Sequence, residues 1–230
     1  MEHHTIDKMK FKILTLETTK LANIPNELLP FRWVTHHVKE IFMALLPNIE
    51  INGSSKIEIS FGSRGDEVIF DNVLGVTNFF IEDFDFLKFY SLTKNKQDII
   101  IIEAIKDSLL AINKSQGNDL SVVNAIIMTA NDVIHSDFKL QIPINRLGKK
   151  SSDKNYEVSV IRNLSAEVGE AWSCLIKNKK TNLISEKWIT KVPDYLDRID
   201  YFKTAEIKKD VYTIFNSFGK QVFQSPLSFD

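Results

Sequence analysis

Apolar residues recur every three or four positions along residues 97–135, and the rest of the chain is organised around this stretch. Ile102, Ile105, Leu109 and Ile112 fall on one helical face, with Glu103, Lys106, Asp107 and Lys114 on the other. A polar break follows at Ser115, Gln116, Gly117, Asn118 and Asp119. Beyond it Val122, Val123, Ile126, Ile127, Ala130, Val133 and Ile134 make a broader apolar surface, opposed by Asn124, Asn131 and His135. The pattern predicts two consecutive helices that form a central layer. The isoleucine run at 99–102 would suit a strand, but the helical period continues far beyond strand length.

Elsewhere the period switches between two and about 3.6. Phe11 and Ile13 alternate with Lys10 and Lys12, which predicts a half-buried strand over 9–16. Val34, Val38, Ile41, Phe42 and Leu45 follow helical spacing until Pro47 stops the run. Short β segments are expected at 49–51, 56–61, 67–70 and 74–81, with an Asn52-Gly53 turn after the first. Asn-Gly between alternating apolar runs is a hairpin signal, so these segments read as a meander. A short helix is expected over 83–90. After the central pair, the alternating sets Phe138, Leu140, Ile142, Ile144 and Tyr156, Val158, Val160 predict strands. Val168, Trp172, Cys174 and Ile176 share a face in a third, and 182–192 supplies a fourth. One wet face on each makes them antiparallel. Pro143 belongs at an edge or a bulge because it cannot donate to a ladder. Ile207, Val211, Ile214, Phe215 and Phe218 predict a C-terminal helix stopped by Gly219.

Segregated runs of helices and strands indicate an α+β fold. Meander-type antiparallel sheets pack against the central pair of helices, with one further helix in the N-terminal half and one at the C-terminus. The expected organisation is a single compact domain, 1–230, with a seam at the polar break that would divide it into halves 9–115 and 119–230.

A chain of 230 residues with 43% hydrophobic content can bury a sizeable core and is not a disordered chain. Its formal net charge of -1 marks no overall preference for nucleic acid or membrane, so any such preference must be local. Cys174 is the single cysteine, which excludes an intramolecular disulfide and a thiolate zinc cluster and suits a reducing cytosol. No uncharged apolar run approaches the ~20 residues that cross a bilayer, and the first residues lack an apolar signal core. A cytoplasmic protein without membrane attachment or cofactor is expected.

No motif carries chemistry. Cys174 shares its face with Trp172 and Ile176, which reads as a buried small hydrophobe rather than a nucleophile. Asp132, His135 and Asp137 lack metal-ligand spacing, and a histidine near a helix C-terminus is explained by the macrodipole. His36 and His37 stand about 100° apart on a helix and cannot easily grip one ion, with His36 expected to face solvent. The loop Phe61-Gly62-Ser63-Arg64-Gly65-Asp66 lacks phosphate-loop spacing and reads as a hairpin connection.

The informative feature is the division of charge. Between Ile57 and Leu87 lie Glu58, Asp66, Glu67, Asp71, Glu82, Asp83 and Asp85 against Arg64. Between Lys139 and Lys191 the balance reverses: Lys139, Arg146, Lys149, Lys150, Lys154, Arg162, Lys177, Lys179, Lys180, Lys187 and Lys191 face fewer acids. The plainest account is two solvated faces, with an acid such as Asp83 capping a helix. The functional expectation is a non-enzymatic protein-binding module, such as an inhibitor or immunity-type antitoxin. It would dock a basic partner, a toxin for example, through Asp66, Glu67, Asp71, Glu82, Asp83 and Asp85. One alternative is nucleic-acid binding by the basic strands and the 177–180 turn, with Tyr156 or Trp188 for base stacking. Another is a metal-dependent hydrolase built on the acidic cluster, for which no general base stands at a diagnostic distance.

Overall fold

A computed structural model describes residues 9–25, 27–66, 72–190 and 200–228. The fold is α+β, and the chain divides into two compact units, Met1–Phe138 and Lys139–Asp230.

The first unit runs β1 (Ile13–Thr18), α1 (Phe31–Leu45), β2 (Lys56–Phe61), β3 (Val76–Ile81), α2 (Phe86–Ser91), α3 (Lys94–Ser115) and α4 (Leu120–His135). Its three strands lie in the order β1-β2-β3, and both pairings are parallel, with Leu16 opposite Ile59 and Ile59 opposite Phe79. The expected meander in this half is therefore replaced by a parallel sheet. Asn52 and Gly53 do form a left-handed turn, at φ 51 and 59, but it leads into β2 and joins no hairpin. The period of two that pointed to antiparallel pairing has another source. Thr15, Glu58 and Asn78 stand side by side across the three strands, and Lys56 pairs with Glu58 at 2.9 Å, so one face of the sheet is polar. The other face carries Leu14, Leu16, Ile57, Ile59 and Phe61, all buried.

Two details depart from expectation. β1 starts at Ile13, whose side chain is exposed, and buries Leu14 and Leu16, so the inward set is shifted from that predicted. His36 is buried rather than solvated. α1 packs against β1 and also against α3 and α4, which covers its polar side as well as its apolar one. His37 Nε2 then lies 3.2 Å from Asp98 Oδ2 on α3, both side chains being enclosed.

The two long helices follow the predicted pattern. Ile102, Ile105, Leu109 and Ile112 are buried, and Asp119 caps α4 by accepting from Ser121 N at 2.8 Å. The turn at 115–119 joins helices that pack on each other within the first unit.

The second unit contains β4 (Leu140–Pro143), β5 (Lys149–Lys150), β6 (Tyr156–Ser165), β7 (Gly169–Asn178), β8 (Ile184–Trp188), β9 (Phe202–Lys208), β10 (Val211–Asn216) and β11 (Gln221–Pro226). All pairings are antiparallel, in the orders β4-β6-β7-β8 and β11-β10-β9, with β5 also paired to β6. Pro143 sits on an edge strand, as its missing N–H requires. Residues from both sheets share one core, including Val160, Trp172, Cys174, Phe202, Tyr212 and Ile214. The Tyr212 hydroxyl donates to Leu147 O at 2.8 Å, which lets that large side chain be fully buried.

The predicted C-terminal helix is a β-hairpin instead. Ile207 lies in β9 and Val211, Ile214 and Phe215 in β10, while Phe218 sits in the next turn, 91% exposed. Tyr212, Ile214 and Asn216 point inward at period two. Lys209 and Asp210, at φ 48 and 60, make the two-residue turn. Among the described residues no helix is long and apolar enough to cross a membrane.

Candidate functional site

Parallel pairing brings the carboxyl ends of the three strands of the first unit to one edge. Phe61 and Ile81 end β2 and β3 in register, so the loop starting at Gly62 and the loop starting at Glu82 leave side by side. The segment after β1 joins them, since Thr19 N donates to Phe61 O at 2.9 Å and Gly62 N to Ile81 O at 2.9 Å. In α/β architectures this edge is where binding loops gather.

Five phenyl rings pack together beneath the loop that starts at Glu82. Phe84 packs on Phe61, Phe86, Phe89 and Phe31 with ring centroids 4.9, 5.0, 5.4 and 5.7 Å away. Phe31 in turn meets Phe61 at 4.8 Å. Such tilted and edge-on contacts contribute about 0.5–1.5 kcal/mol each beyond their buried area. The acidic turn is thereby pinned at its middle residue. Asp85 caps α2 by accepting from Lys88 N at 2.9 Å, and the Tyr90 hydroxyl donates to Leu29 O at 2.7 Å. Burial pushes the Tyr90 phenol up from its ordinary range.

A cleft of about 230 Å³ opens among these loops, lined by Ala22, Asn23, Gly62, Glu82, Phe84 and Asp85, with Leu21 and Leu87 also on its walls. Gly62 takes φ +107, where a Cβ would meet Thr19 Oγ1 at 2.9 Å and Ala22 Cβ at 3.3 Å. Only glycine fits there.

Four of the six sequence-predicted contact residues are described: Asp66, Glu82, Asp83 and Asp85, all exposed and all on the two adjacent loops. Glu82 and Asp85 line the cleft, whereas Asp66 and Asp83 stand outside it. Glu67 and Asp71 lie outside the described residues. Arg64 Nε approaches Glu82 Oε1 at 3.9 Å, and Asp66 and Asp83 make no ion pair among the described residues. The cap falls on Asp85 rather than on Asp83. Phe84, Thr19 and Gly62, which shape the site, carried no signal of their own in the sequence. The alternation Asp83-Phe84-Asp85-Phe86 was the one available hint.

The basic segment of the second unit is interleaved with its own acids. Lys139 pairs with Glu167 at 3.2 Å, Lys150 and Lys179 with Glu157 at 3.4 and 3.7 Å, and Arg162 with Glu170 at 2.5 Å inside the core. Arg146 donates to Phe202 O at 3.0 Å. Tyr156 is half-buried and Trp188 exposed, while Lys191 lies outside the described residues. Cys174 is fully buried, and desolvation pushes its thiol up to about 12. Among the described residues no three His, Cys, Asp or Glu side chains form a group that could hold a metal ion. Comparison with protein-family models, curated proteins and solved structures found no match to this chain.

Proposed function

We propose that the protein is a non-enzymatic binding module whose first unit docks a basic protein through the acidic loops at the carboxyl ends of its parallel strands. An inhibitor or immunity-type antitoxin that occludes a basic enzyme in the cytoplasm would use such a surface. One observation carries this reading: Asp66, Glu82, Asp83 and Asp85 are exposed together on two adjacent loops, the second of which is packed on the phenyl cluster through Phe84. Preorganised loops lose little entropy on binding, and clustered charge of one sign speeds encounter with a partner of the other sign.

The test is capture from native lysate by the wild-type chain and by a variant carrying Asp66→Lys and Asp83→Lys, two positions without described partners. The expected result is one basic protein in stoichiometric amount, released by raised salt and lost with the variant. Undiminished capture by the variant, or recovery of nucleic acid in place of protein, contradicts the proposal.

A further inference from the structure

We infer that the outward face of α4 is a contact between two copies of this chain, which pair antiparallel about Ile127. This surface is separate from the acidic loops and does not depend on them. α4 buries Val122, Ile126, Ala130 and Val133 in the core of the first unit. Its outward side still carries Leu120, Ile127 and Ile134, which are 68%, 38% and 37% exposed, with Met128 exposed beside them. Single apolar residues are ordinary on a protein surface, whereas these recur on one strip. Residues seven apart return to within about 20° of the same direction on a helix. Leu120, Ile127 and Ile134 therefore form one row, and the exposed Asn124 and Asn131 form a second row next to it. Neither row holds an ionisable group. The one carboxylate of α4, Asp132, is turned about 100° from Asn131, while α3 exposes Asp107 and Lys114.

Self-complementarity identifies the occupant. A two-fold contact sets one patch against itself, so a patch with net charge repels its own copy and a neutral one does not. With Ile127 on the two-fold axis and the helices antiparallel, Leu120 meets Ile134 of the second copy and Ile127 meets its counterpart. Asn124 then comes level with Asn131 on the same flank. Apolar row lies on apolar row, and amide row on amide row. An asparagine amide both donates and accepts, so the Asn124–Asn131 pairs are satisfied in this register and fix it. The two macrodipoles run in opposite directions, which sets each positive end beside a negative one. A basic protein finds no countercharge on this strip, so the partner of the acidic loops is not selected here.

Area decides how tight the contact is. Sixteen residues make a helix of about 24 Å at 1.5 Å per residue. A strip of that length and about 10 Å width, counted on both copies, stays below the roughly 1,200 Å² at which standard interfaces begin. The dimer therefore belongs with weak, reversible associations.

Sedimentation equilibrium of the full chain tests this. The average mass is expected to climb from one chain toward two between about 10 µM and 1 mM. Ile127→Lys sets two like charges at the axis and should weaken the dimer at least about tenfold, with circular dichroism confirming the fold. Ile127→Cys, a milder change at the same position, reads the register: mild oxidation should link two copies through residue 127. Phe218→Cys, more exposed but off the strip, should link far more slowly, and buried Cys174 stays out of the reaction. A single-chain mass up to about 1 mM overturns the inference. If capture of a lysate protein is then lost with Ile127→Lys, the strip belongs to that protein instead. A dimer unchanged by Ile127→Lys, or linked as fast through residue 218 as through 127, also overturns it. So does a dimer lost with Asp66→Lys and Asp83→Lys, which would place self-association at the acidic edge.

Discussion

Glu170 has no exposed side-chain surface, and its two carboxylate oxygens are met by Arg162 Nη2 at 2.5 Å and Trp172 Nε1 at 2.9 Å. Glu170→Ala would strand a guanidinium in the core of the second unit. A loss of about 3–5 kcal/mol is expected in urea denaturation, larger than for any of the exposed acids of the first unit. Cys174 governs a different response. Its thiol is raised by desolvation to about 12, so the folded chain keeps that proton where the unfolded chain, near an ordinary thiol value of about 8.5, has released it. The contribution is fully present below about pH 8.5 and is lost as pH rises from there through about 12. Tyr212, also raised by burial, acts in the same direction. Stability measured by urea should fall across that window, and Cys174→Ala should flatten the fall. Native Cys174 should also resist thiol reagents at neutral pH until denaturant is added. The burial of Cys174 was legible in its alternation with Trp172 and Ile176. The roles of Thr19 and Gly62 were not, because each depends on an atom brought close by strand pairing from far along the chain.

At the scale of elements, local period served well where one face alone is buried over many residues, as in α3 and α4. It failed where two periods coincide. Ile207, Val211, Ile214, Phe215 and Phe218 satisfy a helical stripe, yet the β-branched and aromatic run at 211–215 and the left-handed pair Lys209-Asp210 make a hairpin. Lys209→Asn with Asp210→Gly separates the two structures. Asparagine and glycine tolerate positive φ better than the residues they replace, so the variant should stabilise the hairpin by about 1 kcal/mol in thermal or urea unfolding. Glycine inside a helix would instead cost about 1 kcal/mol. The parallel order of β1, β2 and β3 was hidden for another reason. Alternation records that one face is wet, and the polar row of Thr15, Glu58 and Asn78 supplies that without any hairpin. Strand direction is set by the crossovers, which hydropathy does not encode.

For the whole molecule, a formal charge of -1 conceals an uneven division. The second unit mixes its lysines and Arg162 with Glu157, Glu167 and Glu170, whereas four exposed acids of the first unit, Asp66, Glu82, Asp83 and Asp85, share one sheet edge beside a cleft. Interleaved pairs are worth little to a partner, while an edge at which acids predominate gives both steering and register. Carbodiimide coupling, which joins a carboxylate to a lysine amine in direct contact, followed by mass-spectrometric mapping of the captured complex, tests this most directly. Cross-links from Asp66, Glu82, Asp83 and Asp85 to lysines of one basic protein, suppressed at about 0.5 M salt, are the predicted result. Cross-links confined to carboxylates of the second unit, or a pattern unchanged by Asp66→Lys with Asp83→Lys, would contradict it.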